Sequence, residues 1–134
     1  MAYFEWNSQV ELGNPILDAH HKRLFALSEA VARSLTETTE LRHLAGALQE
    51  LIEFTREHFT AEERIMRQAN YPNTEVHAEF HTLLLAELEQ YWLKIQQEGN
   101  ANLTVTGLVA FLWHWLILHI DSADREVVKW LATH

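Results

Sequence analysis

Apolar positions recur at steps of three and four along four long stretches of the chain, the spacing that lays one stripe along an α-helix. The first stripe runs His21, Leu24, Ser28, Val31 and Leu35, with Pro15 or Asp18 placed to open the helix. The second runs Leu44, Leu48, Leu51, Thr55, His58, Glu62 and Ile65, behind Thr38, Thr39 and Glu40 as cap and first-turn acid. Tyr71-Pro72-Asn73-Thr74 reads as a turn and cap. Beyond it, His77, His81, Leu84, Leu88, Tyr91 and Ile95 form a third stripe that Gly99-Asn100 ends. Thr104 caps a fourth helix, whose inward positions are Leu108, Leu112, Trp115 and His119, then Asp124, Val128 and Leu131. Short connections between neighbours predict an all-α fold, an antiparallel up-down-up-down four-helix bundle. Residues 1–14, with Phe4 and Trp6, are an irregular N-terminal arm packed on that bundle, and residues 1–134 form one domain.

The inward frame of the fourth helix slips by one residue between His119 and Asp124. In an ideal helix five residues turn about 140° beyond a full revolution, so this pair cannot share a face without local distortion. A π-type bulge or widening between the two is the expectation.

The stripes carry residues that do not belong in an apolar core. His21, His58, Glu62, His77, His81, His119 and Asp124 interrupt them, and the spacing brings them level. His58 and Glu62 lie near the end of the second helix, and His77 and His81 open the third just past the turn. His21 lies early in the first helix and His119 past the middle of the fourth. His58 with Glu62 and His77 with His81 are i, i+4 pairs, each offering two side chains from one face. Any one of the seven alone reads more readily as a hydrogen-bonded core histidine or a surface acid. Together, five imidazoles and two carboxylates inside a bundle carry a heavy desolvation penalty unless cations neutralise them. Each carboxylate has two oxygens and can span two divalent first-row metals while the imidazoles fill terminal positions.

Composition narrows the alternatives. Lys and Arg number 10 against 19 Asp and Glu, a formal net charge of −9, which is not the footprint of a nucleic-acid or anionic-lipid binder. The absence of cysteine removes disulfides, thiolate-zinc sites and iron–sulfur clusters, and makes a cytoplasmic location the default. No signal peptide is expected from the N-terminal sequence. The most apolar run, Leu108 to Ile120, is too short for membrane insertion and is broken by His114 and His119. His43, His114 and His134 fall outside the set and read as ordinary surface or packing residues. The single Glu40-x-x-His43 lacks the second motif and extra glutamates of a ferritin-like site.

Several stretches, in order, resemble the hemerythrin family, and within it the single-domain bacterial members. They are Asp18-Ala19-His20-His21-Lys22, His58-Phe59-Thr60-Ala61-Glu62-Glu63, Tyr71-Pro72, His77-Ala78-Glu79-Phe80-His81, and Trp115-Leu116-Ile117-Leu118-His119-Ile120 followed by Asp124. The resemblance implies an oxo- or hydroxo-bridged centre of two iron ions, with Glu62 and Asp124 bridging. His77, His81 and His119 would hold one iron. His21 and His58 would hold the other, which keeps an open position where dioxygen binds and leaves unchanged. It further implies oxygen storage or delivery to an oxygen-consuming enzyme, not catalysis. A di-iron oxidase or peroxidase and a partner-dependent oxygen or redox sensor are the alternatives. Phe59, Trp115, Leu116 and Ile120 flank the ligands and are expected to form an apolar dioxygen pocket. The chain departs from the family at His20, where relatives commonly have glutamine. His21 is preferred over His20 as ligand because it continues the apolar stripe while His20 points about 100° away.

Overall fold

The computed structural model describes residues 3–37, 41–98 and 105–134, and among these every regular element is helical. The chain forms α1 (Pro15–Glu37), α2 (Leu41–Gln68) and α3 (Thr74–Glu98). The fourth bundle helix is composite: α4 (Val105–Trp113), two π-helical stretches (His114–Leu118 and Ile120–Asp124) and α5 (Arg125–Thr133). α2 packs against both α1 and α3, while α4 packs against α1. The four-helix bundle of the sequence reading is thus the observed architecture, although the expected caps at Thr38, Thr39, Gly99-Asn100 and Thr104 lie outside the described residues.

Local chemistry accounts for the boundaries that position the site. Pro15 occupies the first position of α1, where its missing N–H costs nothing. Asn14 Oδ1 caps the helix by accepting from the backbone N–H groups of Ile16 and Leu17, at 3.1 Å each. Asp18, the alternative opener, serves the arm instead, accepting from Leu12 N at 2.8 Å and Gly13 N at 3.1 Å. At the far end of α2, Asn70 adopts a left-handed φ of 56°. Tyr71 N donates to Met66 O and Asn70 N to Arg67 O, the paired bonds of a Schellman stop. Three residues later Thr74 Oγ1 donates back to Tyr71 O at 2.6 Å as α3 begins. The α2–α3 reversal is therefore tightly specified, and it sets His58 and Glu62 level with His77 and His81.

Leucine stripes fill the interior. Leu17, Leu24, Leu44, Leu48, Leu51, Leu88, Leu108, Leu112 and Leu116 are all buried, each worth about 2 kcal/mol of transfer free energy. That sum offsets the several kcal/mol that each buried charge costs. The arm closes one flank: Phe4 is buried and stacks on Trp113 at 5.7 Å, and Trp6 meets Phe25 edge-on at 5.2 Å. The Glu29 carboxylate accepts from Tyr3 N at 2.7 Å and pins the arm's start. In two places the inward frame differs from the sequence reading by one residue. Met66 rather than Ile65 is buried near the end of α2, and Val127 rather than Val128 in α5. Met66, Tyr71 and Val127 form a small separate cluster, Met66 lying four residues after Glu62 and Val127 three after Asp124. The Schellman turn seats Tyr71 against Met66, and this selects those positions over the neighbours in a continuous stripe.

Candidate metal centre

All seven residues singled out in the sequence converge. The ligand atoms of Glu62, His77, His81, His119 and Asp124 lie within 4.8 Å of one another, and so do those of His21, His58, Glu62 and Asp124. Every bundle helix contributes. Six of the seven are buried, and His119 is the least enclosed, with 8% of its side chain exposed.

The two carboxylates divide their oxygens between the two groups. Glu62 Oε1 lies 2.6 Å from His77 Nε2 and 3.4 Å from His81 Nε2, while Glu62 Oε2 lies 3.3 Å from His58 Nε2 and 3.9 Å from His21 Nε2. Asp124 repeats the pattern, with Oδ1 3.0 Å from His77 Nε2 and 3.2 Å from His119 Nε2, and Oδ2 3.1 Å from His21 Nε2. Two compartments result, joined by two bridging carboxylates.

The fourth helix reaches this geometry by widening. In π-helical hydrogen bonding five residues close a turn, so His119 and Asp124 come onto one face, and Arg125 N–H reaches back to Ile120 O. The distortion is longer than the expected bulge, because it begins at His114.

Both oxygens of Glu62 and of Asp124, and Nε2 of His21, His77, His81 and His119, are buried without a well-aligned hydrogen bond. The close N···O distances therefore record atoms gathered around shared space, which become hydrogen bonds only where a ring takes up a second proton. Buried polar groups left in that state cost several kcal/mol each, a cost that two cations would remove. The residues fit a dinuclear metal site.

Without metal the cluster would hold itself together by protons. Burial is the largest influence on His21 and His77 and pushes both down, but hydrogen bonds and charge from Asp124 and Glu62 outweigh it and raise each to about 9. Burial pushes the carboxylates up, yet the surrounding histidines win, holding Glu62 well below the usual carboxylate range and Asp124 below it too. His58 is lowered, by burial first, as is the half-buried His20 beside it.

Two residues without a role in the sequence reading back the ligands. Glu63 Oε2 lies 2.9 Å from His81 Nδ1, while its other oxygen, Oε1, lies 3.7 Å from Arg67. His20, whose ring is outside the ligand cluster, places Nδ1 3.0 Å from His58 Nδ1. Sequence gave a faint signal for each, since both adjoin a ligand, but their partners lie on other helices. Of the expected pocket residues, Phe59 stacks flat on His81, with ring centroids 3.8 Å apart, and meets Trp115 and His119 edge-on at 6.2 and 6.3 Å. Leu116 and Ile120 are buried in the same core. His43, His114 and His134 are exposed, away from the centre.

A four-helix bundle that gathers histidines and bridging carboxylates into two adjoining compartments defines a carboxylate–histidine metal-bundle protein. The family model described as the Hemerythrin HHE cation binding domain matches residues 12–131. The chain belongs to the hemerythrin family. It is 31% identical to a hemerythrin-like protein of Naegleria gruberi, over 92% of this chain and 89% of that one. It is 26% identical to the bacteriohemerythrin of Pseudomonas paraeruginosa, over 96% of this chain and 81% of the relative. A solved structure of a leucine-to-tyrosine hemerythrin mutant superposes with a TM-score of 0.88 at 21% identity, covering 99% of this chain and all of the other, and so shares the fold.

Proposed function

We propose that this protein binds dioxygen reversibly at a non-haem di-iron centre, as an oxygen store or as a supplier to an oxygen-consuming enzyme, and that it is a carrier and not a catalyst. The observation that carries the reading is the division of Glu62 and Asp124, one oxygen of each toward His77 and one toward His21. His77, His81 and His119 would hold one ion, His21 and His58 the other, with Glu62 and Asp124 shared. When bound, a pair of ferrous ions supplies two electrons that can pass to dioxygen and return. The chain's own residues do the rest. Buried Phe59, Trp115, Leu116 and Ile120 are assigned the apolar lining that keeps water from the centre. The compartment with two histidines has fewer protein donors than the one with three, so it is the one left room for a small ligand.

Burial of the whole cluster favours binding over turnover, because an oxidase acting on larger substrates needs a route for them and an aimed proton donor. No helix among the described residues is long and apolar enough to cross a membrane, and we assign a cytoplasmic location on the absence of cysteine. The test is an optical spectrum of the anaerobically reduced, iron-loaded protein before air, after air and after renewed deoxygenation. Visible charge-transfer bands that appear and vanish reversibly support a carrier. Release of peroxide, or oxidation of an added substrate at stoichiometry above one, would overturn it.

A further inference from the structure

The two compartments of the centre are backed differently. His81, on one side, directs Nδ1 to the carboxylate of Glu63 at 2.9 Å. His58, on the other, has Nδ1 3.0 Å from the Nδ1 of His20, so its neighbour there is another imidazole. His58 is buried, with its Nε2 3.3 Å from the shared Glu62 Oε2. The His20 ring is held in place edge-on against Phe54 at 5.7 Å and against His58 at 5.1 Å.

This contact fixes the placement of hydrogens. For His58 Nε2 to offer a lone pair to an ion, the ring's single N–H must sit on Nδ1. At 3.0 Å two N–H groups cannot face each other, so His20 Nδ1 must be the acceptor and His20 must be the neutral Nε2–H tautomer. A histidine ligand gains basicity and orientation from the acceptor behind it, and an anionic acceptor donates more than a neutral one. The acceptor behind His81 is a carboxylate, and the one behind His58 is an imidazole.

We propose that His20 is a positioning residue that locks His58 in its metal-binding tautomer through a neutral N–H···N hydrogen bond, making the His21/His58 compartment the more weakly held half of the centre. The inference rests on the dinuclear reading above. Any side chain with a neutral acceptor at this place will serve, a carboxylate will over-serve, and a methyl group will not serve at all.

The test uses zinc, which is diamagnetic and binds the same ligand types, with wild-type protein, His20→Gln, His20→Glu and His20→Ala. Release of each ion to a chelator is followed by stopped flow, and the imidazole nitrogens are observed by 15N NMR. In wild type we expect a scalar coupling across the hydrogen bond between His58 Nδ1 and His20 Nδ1, with the proton on His58. We expect the more weakly held zinc to leave His20→Ala about 10- to 100-fold faster than wild type, the loss of affinity known for lost partners of ligating histidines expressed in the release step. His20→Gln should stay near wild type and His20→Glu should release more slowly, while the tightly held zinc is unchanged throughout. If wild type holds two zinc ions, but the coupling is absent and all variants release alike, the role of His20 is refuted while the dinuclear reading stands. If His20→Ala fails to fold, the order of Glu, His and Gln decides. If wild type holds no zinc or only one, the dinuclear reading falls and takes this inference with it.

Discussion

Loading the centre with a divalent metal at pH 7 should expel about two protons from the protein itself, and at pH 10 almost none. In the metal-free state Asp124 and Glu62 overcome the effect of burial and hold His21 and His77 at about 9. Two units below that value only about one ring in a hundred is neutral, so at pH 7 both are imidazolium ions facing the two carboxylates. Each must surrender its Nε2 proton to become a ligand. At pH 10 about nine rings in ten are already neutral. Metal affinity should accordingly climb close to a hundredfold per pH unit between roughly 7 and 8.5, then flatten. Calorimetric titration of metal-free protein with zinc, in buffers of differing ionisation enthalpy at each pH, counts the protons directly. The difference between pH 7 and pH 10 isolates those two rings. Equal release at both values would refute the reasoning, because it would mean that His21 and His77 carry no extra proton.

The same linkage has a sign for stability. A histidine raised from 6.5 to about 9 stabilises the metal-free fold fully below pH 6.5 and loses that contribution as pH rises through about 9. The depressed carboxylates act oppositely: their contribution is present above about 4 and fades as pH falls below it. Metal-free protein should therefore melt at lower temperature at pH 10 than at pH 6.5, and a thermal melt monitored by circular dichroism that rises instead would contradict this. Thr55 is buried with its hydroxyl unpartnered, so Thr55→Val should stabilise by about 1 kcal/mol in urea denaturation; a loss of stability would show that the hydroxyl has a partner. Replacing the fully buried Leu116 with Gln should admit water and hasten autoxidation of the oxygenated protein, and an unchanged bleaching rate would remove Leu116 from the pocket. Glu62→Gln should reduce metal content from two ions per chain to one or none by elemental analysis, whereas retention of both would show that the bridge is dispensable.

The periodicity of the sequence disclosed the helices, their order and the seven polar interruptions, because a stripe on a helix is a local property. The widening in the fourth helix was legible for the same reason, as a slip of frame between His119 and Asp124, although its extension back to His114 was not. What escaped was pairing between helices. Nothing local announces that Glu63 faces His81 or that His20 faces His58, since each contact joins separate helices. Phe59 was read as pocket lining, and the structure shows that its closest ring partner is His81, on the side with three histidines. Caps were similarly half visible: Pro15 and Thr74 stood out, while Asn14 and the left-handed Asn70 declare themselves only once hydrogen-bond partners are known.

Drawing donors from every helix, and enclosing nearly all of them, has a kinetic side. Ions shared between Glu62 and Asp124, with His21 on one side and His77 on the other, would sit among donors each at most 4% exposed. The departure of either needs a helix to swing away as well as its own ligands to let go, so the rate of metal exchange should scale with how often the bundle opens and, for each ion, with how firmly its ligands hold it. A loaded molecule would then keep its ions for as long as it stays closed, even in surroundings where the free metal is scarce.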